Sequence, residues 1–261
     1  MKKQISTRRL TALAALLFAG MSIMAVSTSA RADGQESSAA HGHGFDYFHQ
    51  KEWHVESGAS QSPIDIRTKE LTAAERTQDE NDAIRLHIAG GGATVIDNGH
   101  TVQVVPQSSY ATIRGRHFTL AQAHFHAPAE HTIDGKRYPL EGHFVFKAQD
   151  GRLAVVAVLY TEGAENAQFD AIARAAKRDQ KIALKTFDAA PLLPADTQPY
   201  YHYLGSLTTP PLTENVEWYV LATPVELSNK DINDFKTLYA HNARETQPLD
   251  GRPVLKFSES K

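Results

Sequence analysis

The 261-residue chain contains no cysteine. Disulfides, thiol nucleophiles, iron–sulfur clusters and every thiolate zinc site are thereby excluded. Methionine is almost as scarce, its 3 residues being Met1, Met21 and Met24, all near the start. A basic excess is missing too. Residues 1–32 hold Lys2, Lys3, Arg8, Arg9 and Arg31 and no acid, so removing these 5 from 27 bases leaves 22 against 30 acids, a formal charge of −8. That balance disfavours nucleic acid or an anionic membrane surface as partner, because phosphate binding needs a basic face. What is plentiful is histidine, with 13 residues. Any metal must then be held by His, Asp or Glu. At 41% hydrophobic and 22% charged, the composition suits one globular domain with a sizeable core.

The N-terminus combines a basic start, an apolar stretch from Leu10 to Val26 and small residues ending in Ala30-Arg31-Ala32. This pattern predicts a secretory signal peptide over residues 1–32, cleaved after Ala32, and hence a periplasmic or secreted protein with no stable membrane insertion after cleavage. The rival reading is a retained anchor, since the stretch lies at the short edge of spanning length. Arg8-Arg9 is a weak match to a twin-arginine signal. Residues 33–43 are small and polar and read as a flexible lead-in, with His41 and His43 solvated. From Gly44 to Lys261 there is no linker or internal repeat, which predicts one domain over 44–261. Assembly is not specified, and a homodimer stays open.

Within that domain short β-type runs dominate: Ala93 to Ile96, Thr101 to Val105, Ala111 to Arg114, Phe118 to His126, Arg137 to Lys147, Leu153 to Tyr160 and Val216 to Ala222. Two helices are expected. One covers Asn166 to Lys177, with Phe169, Ile172, Ala173 and Ala176 on one stripe. The other follows Ser228, with Asp231 as capping-box partner and Ile232, Phe235 and Leu238 as its buried face. The fold class is mostly β (α+β): a large, mainly antiparallel twisted central sheet with peripheral short helices.

In a strand, residues two apart share a face. Gln122, His124 and His126 therefore point one way, as do Glu141, His143 and Val145. Between the two runs lies Asp134-Gly135, a two-residue hairpin signal. A turn centred there pairs His126 with His143 and His124 with Val145, bringing three imidazoles onto one face, although Pro128 must interrupt the ladder. Three neutral imidazoles leave a tetrahedral zinc one open position, the arrangement of a catalytic site. Gln122 and Glu141 are placed to hold the outer ring nitrogens of ligand histidines. Any one of these histidines alone would read as a satisfied polar group on a sheet.

The ordered set Gln61-Ser62-Pro63-Ile64-Asp65-Ile66, Asn98-Gly99-His100, His124-Phe125-His126, Glu130-His131-Thr132, Glu141-Gly142-His143, Ser206-Leu207-Thr208-Thr209-Pro210-Pro211 and Asn242 to Leu249 strongly resembles the α-class carbonic anhydrases of bacterial periplasm. The resemblance spans Phe45 to Val254. It implies Zn2+ on His124, His126 and His143, and reversible hydration of CO2 to bicarbonate and a proton by hydroxide formed on the zinc. It gives Thr208 the hydrogen bond from that hydroxide and Glu130 the bond from Thr208. Asn242 joins Gln122 and Glu141 as support for the ligands. Val145, Val155, Leu207 and Trp218 match the family's apolar wall, beside Thr209, and each also reads as an ordinary buried residue. His100 matches the proton-shuttle position, with Tyr47, Asn98 and Gln103 lining the water path; without the family, His100 reads as a surface histidine beside a turn. His131 matches a structural histidine.

The chain also departs from the family. Gly44-Phe45-Asp46-Tyr47 stands where relatives have a richer aromatic run, and the loop to Trp53 looks shortened. Ala127 and Ala243 stand where tryptophan is common. Leu212 occupies a position at which many secreted relatives form a disulfide to the N-terminal region. Stability is thus expected to be insensitive to reductant. Two other functions remain to be weighed: a zinc esterase or hydrolase using the same site, and a non-catalytic binding domain of the same fold. The complete set His124, His126, His143, Thr208 and Glu130 argues for the enzyme.

Overall fold

The computed structural model describes residues 45–55, 58–73, 83–88 and 90–258. The expected signal peptide and lead-in lie outside the described residues. In chain order the strands are β1 (Asp65–Ile66), β2 (Thr72–Ala73), β3 (Ile84–His87), β4 (Gly91–Asp97), β5 (Val102–Pro106), β6 (Tyr110–Ile113), β7 (Arg116–His126), β8 (Thr132–Ile133), β9 (Lys136–Arg137), β10 (Leu140–Lys147), β11 (Leu153–Glu162), β12 (Lys181–Phe187), β13 (Tyr200–Ser206), β14 (Glu214–Leu221), β15 (Val225–Leu227) and β16 (Leu255–Phe257). The helices are α1 (Ala167–Ala175) and α2 (Asn229–Leu238).

Thirteen strands form one sheet with the path β12-β4-β5-β7-β10-β11-β14-β13-β16-β2, to which β3, β6 and β15 attach. Most pairs are antiparallel, but β11 runs parallel to β14 and β15, and β16 to β2. The centre of the sheet is buried on both faces. In β11 every residue from Ala154 to Tyr160 is buried, which is why it reads as a continuous apolar run rather than an alternating one. Val156, Val158 and Tyr160 join the larger core with Phe125, Phe144, Phe169 and Phe235. Val155, Ala157 and Leu159 join the smaller core with Trp218, Val220 and Tyr203. The histidines stand on the side of the smaller core.

Both expected helices are present, and both are capped. Asn166 Oδ1 accepts the N–H groups of Gln168 and Phe169, and Ser228 with Asp231 forms the full capping box. Leu238, expected in the buried face of α2, is exposed. Tyr239, four residues after Phe235, closes that face instead and reaches the Asp97 carboxylate with its hydroxyl. The run expected from Arg137 to Lys147 is broken into β9 and β10 at Tyr138-Pro139, where proline lacks the ladder N–H. Of the strands that lie outside the expected runs, β12 and β13 are the longest, the others being β1, β2, β3, β8, β15 and β16. Lys181–Phe187 alternates only weakly, and Tyr200–Ser206 carries its β signal in aromatics rather than branched residues.

The turn at Asp134-Gly135 forms as expected, pairing Ile133 with Lys136 and Thr132 with Arg137. Farther out the register differs from expectation: His143 faces His124, and His126 faces Glu141. Between the pairs Thr132–Arg137 and His126–Glu141, one arm holds five residues, Ala127–His131, and the other only three, Tyr138–Leu140. The longer arm displaces the pairing by two. Because the side-chain period is also two, the slip leaves every histidine on its expected face.

Candidate metal centre

The site is built on a cross-strand line: Gln103 of β5 pairs with His124 of β7, His124 with His143 of β10, and His143 with Ala157 of β11. One ring nitrogen from each of His124, His126 and His143 lies within 4.8 Å of the other two. His126 and His143 are buried, while His124 is partly open.

The neighbours decide which nitrogen that is. His124 Nδ1 donates to Gln122 Oε1 at 2.9 Å, His126 Nδ1 to the Asn242 carbonyl at 2.6 Å, and His143 Nε2 to Glu141 Oε1 at 2.8 Å. Each partner is an acceptor, so each of those nitrogens carries the proton. The remaining lone pairs are Nε2 of His124, Nε2 of His126 and Nδ1 of His143. His126 Nε2 is buried with no hydrogen-bond partner, an arrangement that costs free energy unless something binds there. The rings are also held neutral. Burial and the other two rings keep His124 well below the ordinary histidine value, burial takes His126 down to about 4, and burial lowers His143 despite Glu141. Three convergent neutral imidazoles with fixed tautomers fit a zinc ion and leave one position for water.

Glu141 holds more than one ligand. Its Oε2 accepts the N–H groups of Glu130 and His131 at 2.8 and 2.7 Å, and its Oε1 accepts His131 Nδ1 at 2.6 Å as well as His143. Burial alone would raise this carboxyl, but the rings of His131 and His143 and their hydrogen bonds outweigh it and hold it well below the usual carboxylate range. His131 therefore belongs to the support, its other nitrogen bonded to the Tyr203 hydroxyl at 2.7 Å. Glu130 is different. Burial pushes it up to about 7, only partly offset by His143 and by the Arg244 N–H on Oε1 at 2.7 Å. Its Oε2 is buried without an ordinary hydrogen bond, and the nearby Thr208 hydroxyl favours its charge. A divalent cation at the histidines would favour the ionised form further.

The other expected residues fall around this centre. Val145, Val155 and Trp218 form an adjacent cross-strand row, with Leu207 packed on the same core. Thr209 lies in the Thr208 loop, its carbonyl accepting the Leu212 N–H. Asn242 donates to the carbonyls of His100 and Phe125 and accepts the Ala127 N–H, tying the His100 turn to the ligand strand. Tyr47 is raised above the ordinary tyrosine value by burial and by Glu130. Asn98 faces solvent, and its Oδ1 caps the turn through the N–H groups of His100 and Thr101.

Sequence reasoning missed several supporting residues. Arg244 joins Glu130 to Gln61 and Ser62, and Thr101 Oγ1 bonds the Phe125 carbonyl. Glu214 accepts from the Ser60 N–H at 2.7 Å and the Gln61 amide at 3.3 Å. That clasp holds the N-terminal segment to the start of β14, just after Pro210-Pro211. Gly58 lies so close that an added Cβ would fall 2.1 Å from the Glu214 carboxylate. No local signal in the sequence marks these partners. The motif residues Gln61 and Ser62 were the available hint.

Residues 44–258 match the family model for eukaryotic-type carbonic anhydrase. A carbonic anhydrase of Pectobacterium carotovorum is 42% identical over 204 residues, covering 77% of this chain and 81% of that protein. The solved structure of the α-carbonic anhydrase from Thermovibrio ammonificans, in complex with the inhibitor sulfanilamide, aligns with a TM-score of 0.70 at 37% identity, over 76% of this chain and 87% of the other. Dioscorin complexed with ascorbate aligns equally well in fold, with a TM-score of 0.70 at 28% identity over 78% and 88% of the two chains. The histidine geometry, the family match and the bacterial relatives agree: this chain is an enzyme of the α-carbonic anhydrase family.

Proposed function

We propose that the chain hydrates CO2 reversibly to bicarbonate and a proton with Zn2+ held by His124 Nε2, His126 Nε2 and His143 Nδ1. The observation that carries this reading is the set of three converging lone pairs whose tautomers are fixed by Gln122, the Asn242 carbonyl and Glu141. Zinc bound there supplies a Lewis acid that acidifies water. The protein's residues do the rest. Val145, Val155, Leu207 and Trp218 offer CO2 an apolar wall, suited to a small substrate without a strong polar handle. Glu130 accepts a hydrogen bond from the Thr208 hydroxyl, which leaves the Thr208 oxygen to accept one from the attacking oxygen and orient it toward carbon. A backbone N–H of the Thr208–Thr209 loop can bind a substrate oxygen. His100 carries the released proton outward, with Tyr47, Asn98 and Gln103 along the water path.

Residues 1–32 are proposed as an export signal placing the mature chain in the periplasm or outside the cell. Among the described residues no helix is long and apolar enough to cross a membrane. Stopped-flow CO2 hydration by the mature chain before and after zinc removal tests the enzyme reading. Metal-dependent turnover is expected, and activity that is absent or indifferent to zinc would overturn it. His100→Ala should slow turnover in weak buffer and be partly rescued by imidazole; an unchanged rate would remove the shuttle.

A further inference from the structure

Phe45 stacks on the His100 ring, but the backbone that carries the ring is held from elsewhere. His100 sits in the turn between β4 and β5, where Gly99 takes a left-handed φ of +86°. The N–H groups from Asn98 to Thr101 are all taken. Asn98 donates to the Thr101 carbonyl at 3.3 Å, Gly99 to the Asp97 carboxylate at 3.1 Å, and His100 and Thr101 to Asn98 Oδ1 at 3.0 and 2.9 Å. The turn is therefore closed upon itself. Its own bonds set its shape and leave its place relative to the metal centre to other groups.

Two side chains supply that place. The ladder between β5 and β7 ends at the Gln103–His124 pair. Beyond it the Thr101 hydroxyl reaches across, donating to the Phe125 carbonyl at 2.5 Å and accepting the Phe125 N–H at 3.3 Å. Phe125 stands between the ligands His124 and His126. Asn242 adds a second tie, its Nδ2 donating to the carbonyls of His100 at 3.1 Å and Phe125 at 2.9 Å. Thr101, Phe125 and Asn242 are all buried, so these bonds are shielded from water. Packing alone would be served by valine, which has the shape of threonine. The hydroxyl is what reaches Phe125.

We propose that Thr101 is a positioning residue for proton transfer: its hydroxyl ties the turn that carries His100 to Phe125, between two metal ligands, and so fixes the span that the proton crosses from metal centre to carrier. Transfer through bridging water depends steeply on that span, because a wider gap must be filled by a further ordered water. This inference rests on His100 as the proton carrier and deepens that reading.

Thr101→Val keeps the shape and removes the hydroxyl. In the zinc-loaded mature chain and weak buffer it should lower kcat about 2- to 10-fold, the weight of one ordinary hydrogen bond in the population of the aligned turn. The kcat/KM for CO2, set before the proton leaves, should stay fixed. Thr101→Ser should restore kcat, and imidazole should rescue the Thr101→Val enzyme. The orphaned Phe125 N–H will lower thermal stability by itself, so stability is not the readout. The deciding measurement is Thr101→Val in the His100→Ala background, where it should change kcat no further; a residue that merely supports the fold would slow both backgrounds alike. Thr101→Ala removes the same hydroxyl and serves if the valine variant folds poorly. A kcat unmoved by either variant, a kcat/KM that falls with it, or an equal loss in the His100→Ala background would overturn the inference. A His100→Ala enzyme of unchanged rate would instead overturn the carrier reading on which the inference stands.

Discussion

Glu141→Gln changes neither size nor shape, so it isolates what the carboxylate does as an acceptor. The native group accepts four hydrogen bonds, two from backbone N–H groups and two from imidazoles. A glutamine has one accepting oxygen and one donating NH2. If the NH2 faces the backbone, the N–H groups of Glu130 and His131 are orphaned in a fully buried site; at about 1–3 kcal/mol each, folding loses about 2–6 kcal/mol. If it faces the rings, the His143 proton must move from Nε2 to Nδ1. That removes the lone pair directed at the metal, and affinity should fall about 10–100-fold or more, equivalent to at least about 1.4–2.7 kcal/mol. The variant cannot escape both costs. Urea unfolding of the metal-free chain measures the first, and competition for zinc with a chromophoric chelator measures the second. A variant matching the native chain in stability and within twofold in zinc affinity would refute the accounting.

Other outcomes follow from the same geometry. Thr208→Val should lower kcat/KM by about 100-fold, the scale of losing one aligned polar group at a reacting oxygen, while zinc affinity in the chelator assay stays unchanged. Val145→Phe should fill the apolar wall and reduce kcat/KM about tenfold, or 1.4 kcal/mol, with little change in thermal midpoint; full activity would show that substrate binds elsewhere. Glu214→Ala should cost about 1–2 kcal/mol in urea unfolding by releasing the Ser60 N–H, whereas reductant should change nothing in a chain without cysteine. Acid should weaken the metal-free chain. His126 titrates at about 4 in the fold against 6.5 unfolded, so its contribution, about 3 kcal/mol, is complete above 6.5 and lost as pH falls toward 4. Glu130, raised to about 7 from 4.5, acts oppositely, its contribution complete below 4.5 and lost as pH rises through 7. Three lowered rings outweigh one raised carboxyl, so unfolding free energy should drop from pH 6.5 to about 5; a flat profile there would contradict the burial argument.

The sequence by itself determined the ligand types, the face they occupy and two of the groups that orient them. These are local facts. Strand geometry alternates side chains every second residue, so Gln122 must share a face with His124 and Glu141 with His143, whatever the rest of the chain does. For the same reason a register error of two residues left the site intact. Tertiary structure decided what no local rule reaches. The Asn242 carbonyl that fixes the His126 tautomer lies 116 residues away in sequence, and the Arg244 N–H on Glu130 lies 114 away. The parallel pairing of β11 with β14, which sets Val155 beside Trp218, depends on a long crossover through α1, β12 and β13. Phe45 under His100 and Glu214 against Ser60 are likewise meetings of distant segments. Local periodicity follows from backbone sterics, which each short stretch carries within itself. Such long-range contacts exist only once the sheet has closed, because closure alone brings those segments within hydrogen-bonding reach.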